Sequence, residues 1–203
     1  MPFIDPSEVR VTQLDAPHYD SKFWRLDRAL LYRGATGEVF EVPADFNTDF
    51  ASVPRVFAWF LPRYGRYTKA AILHDWLWEQ AKVGEVSWRD ADGLFRRAMR
   101  ELRVPFLRRW IMWTGVRWAS LRHLADGGGK EWWKDSPAVL GFTVVGLPLV
   151  APPAVLIIGS LAVFYAYEAI TFAGLCVGRR TAALFGVTAE NDLNPPGFSL
   201  TTS

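Results

Sequence analysis

The hydrophobic and polar residues of the first 50 positions alternate with the period of β-strands. Val9-Arg10-Val11-Thr12 alternates, the stretch 24–32 is rich in aromatic and aliphatic residues, and Glu38-Val39-Phe40-Glu41-Val42 resumes the alternation. The turn-like stretch Arg33-Gly34-Ala35-Thr36-Gly37 separates the last two segments. We therefore expect these two segments to form a hairpin with a loop of about three to five residues.

The residues after position 50 carry the start signals and the apolar spacing of four helices. Ser52-Val53-Pro54 predicts a short helix to about Phe60, because serine caps a helix and proline in the first turn loses no hydrogen bond. Further helices are predicted over about 67–80, over about 87–102 behind a capping box, and over about 105–124. Their predicted core faces are Ala70, Leu73, His74 and Leu77; Ala91, Phe95, Met99 and Leu102 with Asp92 alongside; and Leu107, Trp110, Ile111, Trp118 and Leu121.

Residues 136–178 are almost free of charge, since Glu168 is the one charged residue between Asp135 and Arg179. Such a run predicts membrane insertion, with a buried core hairpin as the alternative. A straight helix of 43 residues would be about 65 Å long, about twice the hydrocarbon thickness of a bilayer. Pro148 and Pro152-Pro153 predict a break. The expected structure is a transmembrane helical hairpin with legs 137–151 and 154–178, the first re-entrant or tilted.

Both flanks of this apolar segment are basic, with Lys130 and Lys134 before it and Arg179 and Arg180 after it. The positive-inside rule therefore predicts that the preceding domain and the following tail both lie in the cytoplasm. Trp132 and Trp133 fit an aromatic belt, and Glu168 fits either an acid that snorkels or meets a partner, or a functional intramembrane acid. The predicted organisation is a soluble α+β domain with a small N-terminal β-sheet or hairpin and a helical cluster over 1–125, a glycine-rich linker over 126–135, the membrane hairpin over 136–178 and a polar tail over 179–203.

The charge distribution limits the kinds of partner that this protein is expected to bind. The net charge is +2, and 21 of the 23 basic residues and 18 of the 21 acids lie within residues 1–135. A net charge this small gives no long-range attraction to nucleic acid, so no sequence-specific nucleic-acid partner is expected. A local cluster nevertheless stands out, because residues 96–122 hold eight arginines against the single acid Glu101, interleaved with three tryptophans. That mixture suits a membrane surface or a polyanion.

The sequence lacks the residues that several common catalytic and binding sites require. Cys176 is the only cysteine, which leaves no disulfide framework and no thiolate metal site to propose. The chain has no glycine-rich phosphate loop, no Gly-x-Ser-x-Gly elbow and no His-Glu-x-x-His motif. The first residues also lack a basic region followed by an apolar run, so a cleaved secretory signal is not expected.

One set of polar side chains remains as candidates for catalysis or for ligand binding. Its members are expected to point inward from helix faces or strand ends. His74 and Asp92 share the apolar faces of their helices. Because an isolated buried carboxylate is costly, Asp92 should pair with His74, with an arginine or with a bound cation. The full set is Asp49, His74, Asp75, Asp90 and Asp92.

Two interpretations of this set stay open. In the first, Asp49, His74, Asp75 and Asp92 hold a divalent metal that activates water for hydrolysis. In the second, they form a satisfied structural network in which Asp49 caps the helix after Ser52 and His74 bonds Asp92. The chain has only two further histidines, His18 and His123, and this shortage counts against the metal.

Three ordered blocks resemble family 1353 of the domains of unknown function, which is frequent in phages and prophages. They are Asp45-Phe46-Asn47-Thr48-Asp49-Phe50-Ala51-Ser52-Val53-Pro54-Arg55, Gly65-Arg66-Tyr67-Thr68-Lys69-Ala70-Ala71-Ile72-Leu73-His74-Asp75-Trp76-Leu77 and Arg89-Asp90-Ala91-Asp92-Gly93-Leu94-Phe95-Arg96-Arg97-Ala98-Met99, within about residues 25–120. The resemblance implies a small phage-encoded α+β domain without an established activity. It also implies motif positions at Thr48, Asp49, Ser52, Pro54, His74, Asp75 and Asp92. Departures from the family pattern are Asp45, where a small residue is usual, and Trp78, where a tyrosine is common.

These observations lead to three hypotheses. The first is a phage or prophage accessory protein, anchored in the lipid bilayer, that binds a ligand or another phage protein near His74. The second is a metal-dependent hydrolase acting on cell-wall peptide or a phosphoester, with His74, Asp75 and Asp92 as candidate catalytic residues. The third is a virion or tail-associated protein whose apolar segment enters the host membrane during infection. The candidate binding residues are Thr48, Asp49, Ser52, His74, Asp75 and Asp92.

Overall fold

The computed structural model describes residues 3–5, 8–14, 24–50, 57, 59–62, 64–123, 125, 127 and 132–184. In these ranges the six strands are β1 (Phe3–Asp5), β2 (Val11–Gln13), β3 (Trp24–Leu26), β4 (Leu30–Arg33), β5 (Val39–Val42) and β6 (Asn47–Thr48). They pair as two antiparallel three-stranded sheets, with strand orders β1-β4-β5 and β2-β3-β6. The α+β class predicted from the sequence is confirmed.

The predicted hairpin is strands β4 and β5. Arg33 pairs with Val39, so the connecting loop is residues 34–38. The apolar stretch 24–32 does not form one strand, however, because β3 and β4 belong to different sheets. The chain turns between them at Asp27, whose backbone N–H bonds Arg10 and whose carboxylate accepts from the Thr12 hydroxyl. These bonds to the neighbourhood of β2 replace the pairing that a longer strand would need.

The helices are α1 (Thr68–Lys82), α2 (Trp88–Glu101), α3 (Phe106–Ser120), which continues as a 3₁₀ turn over Leu121–His123, and α4 (Trp132–Leu184). Ser87 caps α2 by accepting the Asp90 N–H at 3.0 Å, and its hydroxyl donates to the Asp90 carboxylate at 2.7 Å. The cap predicted at Ser87 is therefore present, with the Asp90 carboxylate bonded to the Ser87 hydroxyl where a full capping box uses the backbone N–H. The short helix predicted from Ser52 to Phe60 lies mostly outside the described residues.

The core lies where the sheets meet α1 and α2. It contains Leu26, Leu30, Tyr32 and Val42 from the strands. The Tyr32 hydroxyl donates to Glu101 at 2.7 Å, which ties β4 to the end of α2. Of the residues predicted to face the core, Ala70, Leu73, His74, Leu77, Ala91, Asp92, Phe95 and Met99 are buried and Leu102 is half-buried.

The predicted core face of α3 was wrong. The buried residues are Met112, Trp113, Thr114, Arg117 and Ser120. The predicted stripe is instead half-buried or, at Trp118, exposed, and part of it contacts α4. Trp110 stacks on Phe142 with ring centroids 4.4 Å apart, and the Trp118 indole donates to Thr143. Hydropathy alone could not find the inner face, because that face carries a buried arginine and two hydroxyl groups.

The predicted helical hairpin at the C-terminus is also wrong, because α4 is one continuous helix of 53 residues. Pro137, Pro148, Pro152 and Pro153 all lie inside it. A proline removes its own amide donor and strains the preceding turn, but the residues around it still bond along the helix. Proline also occurs in turns, but residues 149–153, Leu-Val-Ala-Pro-Pro, have no glycine, asparagine or aspartate to supply the positive φ that many tight turns need.

The first turn of α4 is bound to the domain. Asp135 accepts two hydrogen bonds from Arg89, at 2.8 and 3.0 Å, and lies 3.6 Å from a guanidinium nitrogen of Arg117. The Trp132 indole donates to the Arg117 carbonyl at 3.1 Å. The predicted linker 126–135 therefore ends in residues that pack on the domain.

Candidate functional site

The Asp92 network is a buried group of polar side chains that joins α1, α2 and α3, namely His74, Trp78, Asp92, Arg117 and Ser120. One carboxylate oxygen of Asp92 accepts from His74 Nε2 at 2.8 Å and from the Trp78 indole at 3.1 Å. The other accepts from Arg117 at 3.1 Å and from the Ser120 hydroxyl at 2.7 Å. Asp92, Arg117 and Ser120 are fully buried. Each oxygen of Asp92 thus has two donors.

The donors around Asp92 determine its ionisation. Burial raises the pKa of this carboxyl group, but the hydrogen bond and charge interaction with His74, followed by the bonds from Ser120 and Trp78, outweigh burial and hold the pKa below its ordinary value. Asp92 is therefore an anion at neutral pH, and Arg117 is its buried counter-ion. A carboxylate with all its lone pairs engaged in this way holds helices together and is poorly placed to bind a metal or accept a substrate proton.

A second group, the carboxylate pair, consists of Asp49 and Asp75 with Thr48 beside them. The Thr48 hydroxyl donates to Asp75 Oδ2 at 2.5 Å and accepts the Phe50 N–H at 3.0 Å, so both its proton and a lone pair are used. The backbone N–H of Asp49 also donates to the Asp75 carboxylate. The end of β6 is thereby fastened to the half-buried face of α1 that carries Asp75.

The backbone next to the carboxylate pair is held in an unusual conformation. Phe50 has φ = 63°, in the left-handed region that bulky side chains rarely adopt. Its buried ring lies 5.8 Å from Trp24 and 5.6 Å from Tyr64, centroid to centroid. Packing of this ring and the Phe50 N–H to Thr48 bond compensate for the strain. This turn therefore fixes the backbone position from which the Asp49 side chain extends.

Burial, and after it the negative charge of Asp49, raise the pKa of Asp75 to about 8, although the hydrogen bonds from Thr48 and the Asp49 N–H act in the opposite direction. A carboxyl group with such a pKa can hold a proton at neutral pH and release it when a cation approaches. Asp75, with Asp49 beside it, is therefore a candidate functional site of this domain.

The structure separates the four residues predicted as metal ligands into two groups. His74 and Asp75 are consecutive on α1, so their side chains point about 100° apart, His74 toward Asp92 and Asp75 toward Thr48. Among the described residues no three His, Cys, Asp or Glu side chains are placed to hold a metal ion together. Ser52 and Pro54 lie outside the described residues, and Asp90 takes part in the cap of α2.

The predicted pairing of Asp92 is confirmed twice over, because it bonds both His74 and an arginine. Sequence reasoning missed Arg117 and Ser120, which complete the network. Arg117 belongs to the arginine cluster of residues 96–122 in the sequence, yet its side chain is fully buried. A usable signal was present: Trp113, Arg117 and Ser120 recur at the four- and three-residue spacing of one helix face.

The residues predicted to contact a membrane lie on α4. Trp132 packs against Trp118, with ring centroids 5.2 Å apart, whereas Trp133 is 70% exposed. Glu168 is half-buried along the distal part of the helix. Residues 132–181 are long and apolar enough to cross a membrane, and the most apolar part of this stretch is not covered by any described residue.

Residues 24–116 match the model of the family described as protein of unknown function (DUF1353). No curated protein and no solved structure matches the chain. The matched range runs from β3 into α3 and contains Asp49, His74, Asp75 and Asp92, whereas Arg117, Ser120 and α4 lie beyond it. Residues 24–116, the part of the chain that holds the candidate site, are therefore similar to the DUF1353 family.

Proposed function

We propose that this protein is a membrane-anchored accessory protein of phage or prophage origin, whose DUF1353 domain binds a ligand or partner close to the bilayer. The observation that carries the proposal is α4, a helix that leaves the domain, carries Glu168 as its one charged residue between Asp135 and Arg179, and exposes apolar side chains on different sides. The phage context rests on the family resemblance. The ligand site is assigned to the carboxylate pair, which follows His74 on α1, because the raised pKa of Asp75 suits binding and both oxygens of the Asp92 carboxylate are already engaged.

The exposed surface of α4 supports the bilayer as its environment. Val144, Val145, Leu147 and Leu149 are between 47% and 71% exposed, and at 100° per residue they point to different sides of the helix. A helix in water buries one apolar stripe against its domain, whereas a helix that is apolar all round is covered by protein or lipid. Lipid around α4 removes this surface from water without requiring a further protein.

The position of the crossing follows from contacts and charge. Packing of α4 on α3 includes Gly146, where an added Cβ would lie 3.4 Å from the Ile111 side chain. The next 21 residues, 147–167, are uncharged and as a helix span about 32 Å, close to the hydrocarbon thickness of about 30 Å. Tyr165 and Tyr167 lie at the far end of this stretch and Glu168 follows it, at a boundary where aromatic and charged side chains are favoured. We therefore assign the single crossing to residues 147–167.

A single crossing changes the proposed topology of the flanks. Placement of both flanks in the cytoplasm depended on a hairpin, and a continuous helix that crosses once separates them. The domain side carries the arginine cluster of residues 96–122, which favours the anionic cytoplasmic leaflet. We infer that the domain lies in the cytoplasm and that Arg179, Arg180 and the tail lie across the membrane.

Fractionation of the full-length chain tests the anchor. We expect it to remain in the membrane pellet after alkaline carbonate extraction. Arginine at both Leu156 and Ile157, near the centre of the crossing, should release it, since each charge costs about 2.5–3.5 kcal/mol at a helix centre. Val83→Arg, on the exposed end of α1, is the matched control and should stay in the pellet. Release of the unmodified chain by carbonate would refute the anchor.

The proposed membrane topology is tested separately, by labelling of cysteines on the two flanks. With Cys176 changed to serine, single cysteines introduced at residues 128 and 198 should react with a membrane-impermeant maleimide from opposite sides. Labelling of both from the same side would contradict the single crossing.

The carboxylate pair also supports a second candidate, the metal-dependent hydrolase. Asp49 lies close enough to Asp75 for its charge to raise the Asp75 pKa, and two adjacent carboxylates favour a divalent cation. Calorimetric titration of Mg²⁺, Mn²⁺ and Zn²⁺ into the full chain in detergent distinguishes the candidates. Binding that is lost in Asp75→Asn would favour the hydrolase, and absence of binding would leave the accessory role alone.

A further inference from the structure

A groove between α2 and α3 is lined almost entirely by arginine. It encloses about 370 Å³, within the range of roughly 300–1,000 Å³ typical of small-molecule sites. Its walls are formed by Gly93, Arg96, Arg97, Arg100, Arg109 and Trp110. Gly93 leaves room at the wall, because a Cβ built on it would meet no atom within 4 Å. Four guanidinium groups thus converge on one concave surface.

These guanidinium groups are only partly neutralised. Arg97 pairs with Glu101 at 2.9 Å, and Arg109 reaches the Val104 carbonyl at 3.5 Å. Arg96 and Arg100 make no ion pair with any residue that the structure describes. The groove therefore holds an excess of positive charge that an anion would compensate.

Arg96 is fixed in place by aromatic side chains. Its guanidinium carbon lies 4.2 Å from the ring centroid of Trp110 and 4.8 Å from that of Trp113. Burial lowers the pKa of Arg96, an effect that Asp135 opposes and Arg100 and Arg109 reinforce, although an arginine stays charged at neutral pH. A charge held rigidly and partly out of water binds an anion without the cost of ordering a flexible side chain.

The groove lies beside the helix that leaves the domain. The same Trp110 that stacks under Arg96 stacks on Phe142 of α4, with interplanar angle 9°. Phe142 is five residues before the crossing assigned to 147–167, about 7.5 Å along the helix. Each headgroup layer of a bilayer is about 5–7 Å thick. Phe142, and the groove that meets it through Trp110, therefore lie at the outer edge of the lipid headgroup layer.

We propose that this arginine groove binds the phosphate of an anionic phospholipid headgroup and so orients the domain on the membrane. The inference rests on the proposed anchoring by α4. Planar guanidinium groups bind phosphate oxygens in pairs, and Arg96 and Arg100 supply this geometry one helical turn apart on α2. A free phosphate compound would offer the same oxygens, and the experiment separates the two sources.

The experiment uses the full chain in an uncharged detergent, so it does not depend on membrane insertion. Phosphatidylglycerol, phosphatidylcholine and inorganic phosphate are added separately, and binding is measured as the shift of the thermal unfolding midpoint followed by tryptophan fluorescence. We expect phosphatidylglycerol to raise the midpoint. Arg96→Gln/Arg100→Gln should weaken its binding about ten-fold or more, from the loss of two charge-assisted contacts. Arg28→Gln/Arg66→Gln, two exposed arginines outside the groove, is the matched control and should bind as the unmodified chain does.

Three results would overturn the proposal. They are an equal response of the groove variant and the control, an equal response to phosphatidylcholine, and an equal response to inorganic phosphate at the same concentration. If Arg96→Gln fails to fold because Trp110 loses its stacking partner, Arg100→Gln alone decides, since Arg100 is exposed. Release of the chain by carbonate would refute the anchor but leave this binding measurement unaffected.

Discussion

Replacement of Asp92 by asparagine is the sharpest test of the Asp92 network. The two side chains have the same shape, so the substitution changes one carboxylate oxygen into an amide NH₂ and removes the charge. In the native protein all four groups around Asp92 donate to it. Whichever way the amide is turned, its NH₂ faces two of these donors.

The cost follows from how far each donor can adapt. His74 can change tautomer and the Ser120 hydroxyl can rotate, but Trp78 and Arg117 can only donate. One of these two therefore loses its acceptor, at about 1–3 kcal/mol for a neutral group. Arg117 is fully buried, and its remaining acid, Asp135, is 3.6 Å away. Because loss of the counter-ion leaves a buried charge, we expect Asp92→Asn to cost about 3–5 kcal/mol.

The assay is urea unfolding of the full chain in detergent, followed by tryptophan fluorescence. All ten tryptophans lie between residues 24 and 133, so the signal reports the domain and not the distal part of α4. The second variant, Arg117→Met, removes the guanidinium charge that Asp92→Asn leaves without its counter-ion. The double variant Asp92→Asn/Arg117→Met should cost less than the sum of the singles by at least about 1 kcal/mol. A loss below about 1 kcal/mol for Asp92→Asn, or strict additivity, would refute this account of the network.

Three further predictions concern stability. The pKa of Asp75 is about 8 in the folded protein, against an ordinary value of 3.8, so between these values the native state keeps a proton that the unfolded chain releases. The free energy of unfolding should therefore fall as the pH rises from about 4 to 8, by up to about 1.4 kcal/mol per pH unit. Asp75→Asn should flatten this dependence in urea titrations at pH 5, 6.5 and 8, and parallel curves would contradict it. Ser87→Ala should cost about 1 kcal/mol by loss of the α2 cap and Ser87→Gly only a few tenths, so equal effects would argue against the cap. Tyr32→Phe should cost about 1–2 kcal/mol because it removes the bond to Glu101, and no change in the urea midpoint would count against that bond.

The local features of the fold could be predicted because each depends on a few neighbouring residues. The β4–β5 hairpin followed from alternation around a glycine-containing turn, and the start of α2 followed from Ser87 and Asp90. The pairing of His74 with Asp92 followed from burial, since a carboxylate on an apolar face needs a donor.

The features that failed depend on contacts between distant parts of the chain. The inner face of α3 holds Arg117, which hydropathy assigns to solvent, and its burial is possible only because Asp92 and Asp135 meet it from α2 and α4. The separation of His74 from Asp75 likewise reflects which element packs on each side of α1. A list of polar residues cannot show this division. The break predicted at Pro148 and Pro152-Pro153 is absent because each proline removes only its own amide donor, and the surrounding residues keep α4 continuous.

The ion pairs of Asp135 have a mechanical consequence. Asp135 bonds Arg89 of α2 and lies next to Arg117 of α3, so the first turn of α4 is clamped to two helices of the domain. Such a joint transmits torque. In the membrane-anchored arrangement proposed above, a tilt of α4 imposed by a thicker or thinner bilayer would be transmitted to the salt bridge between Arg117 and Asp92. The same contacts would hold the domain at a fixed distance and angle from the membrane.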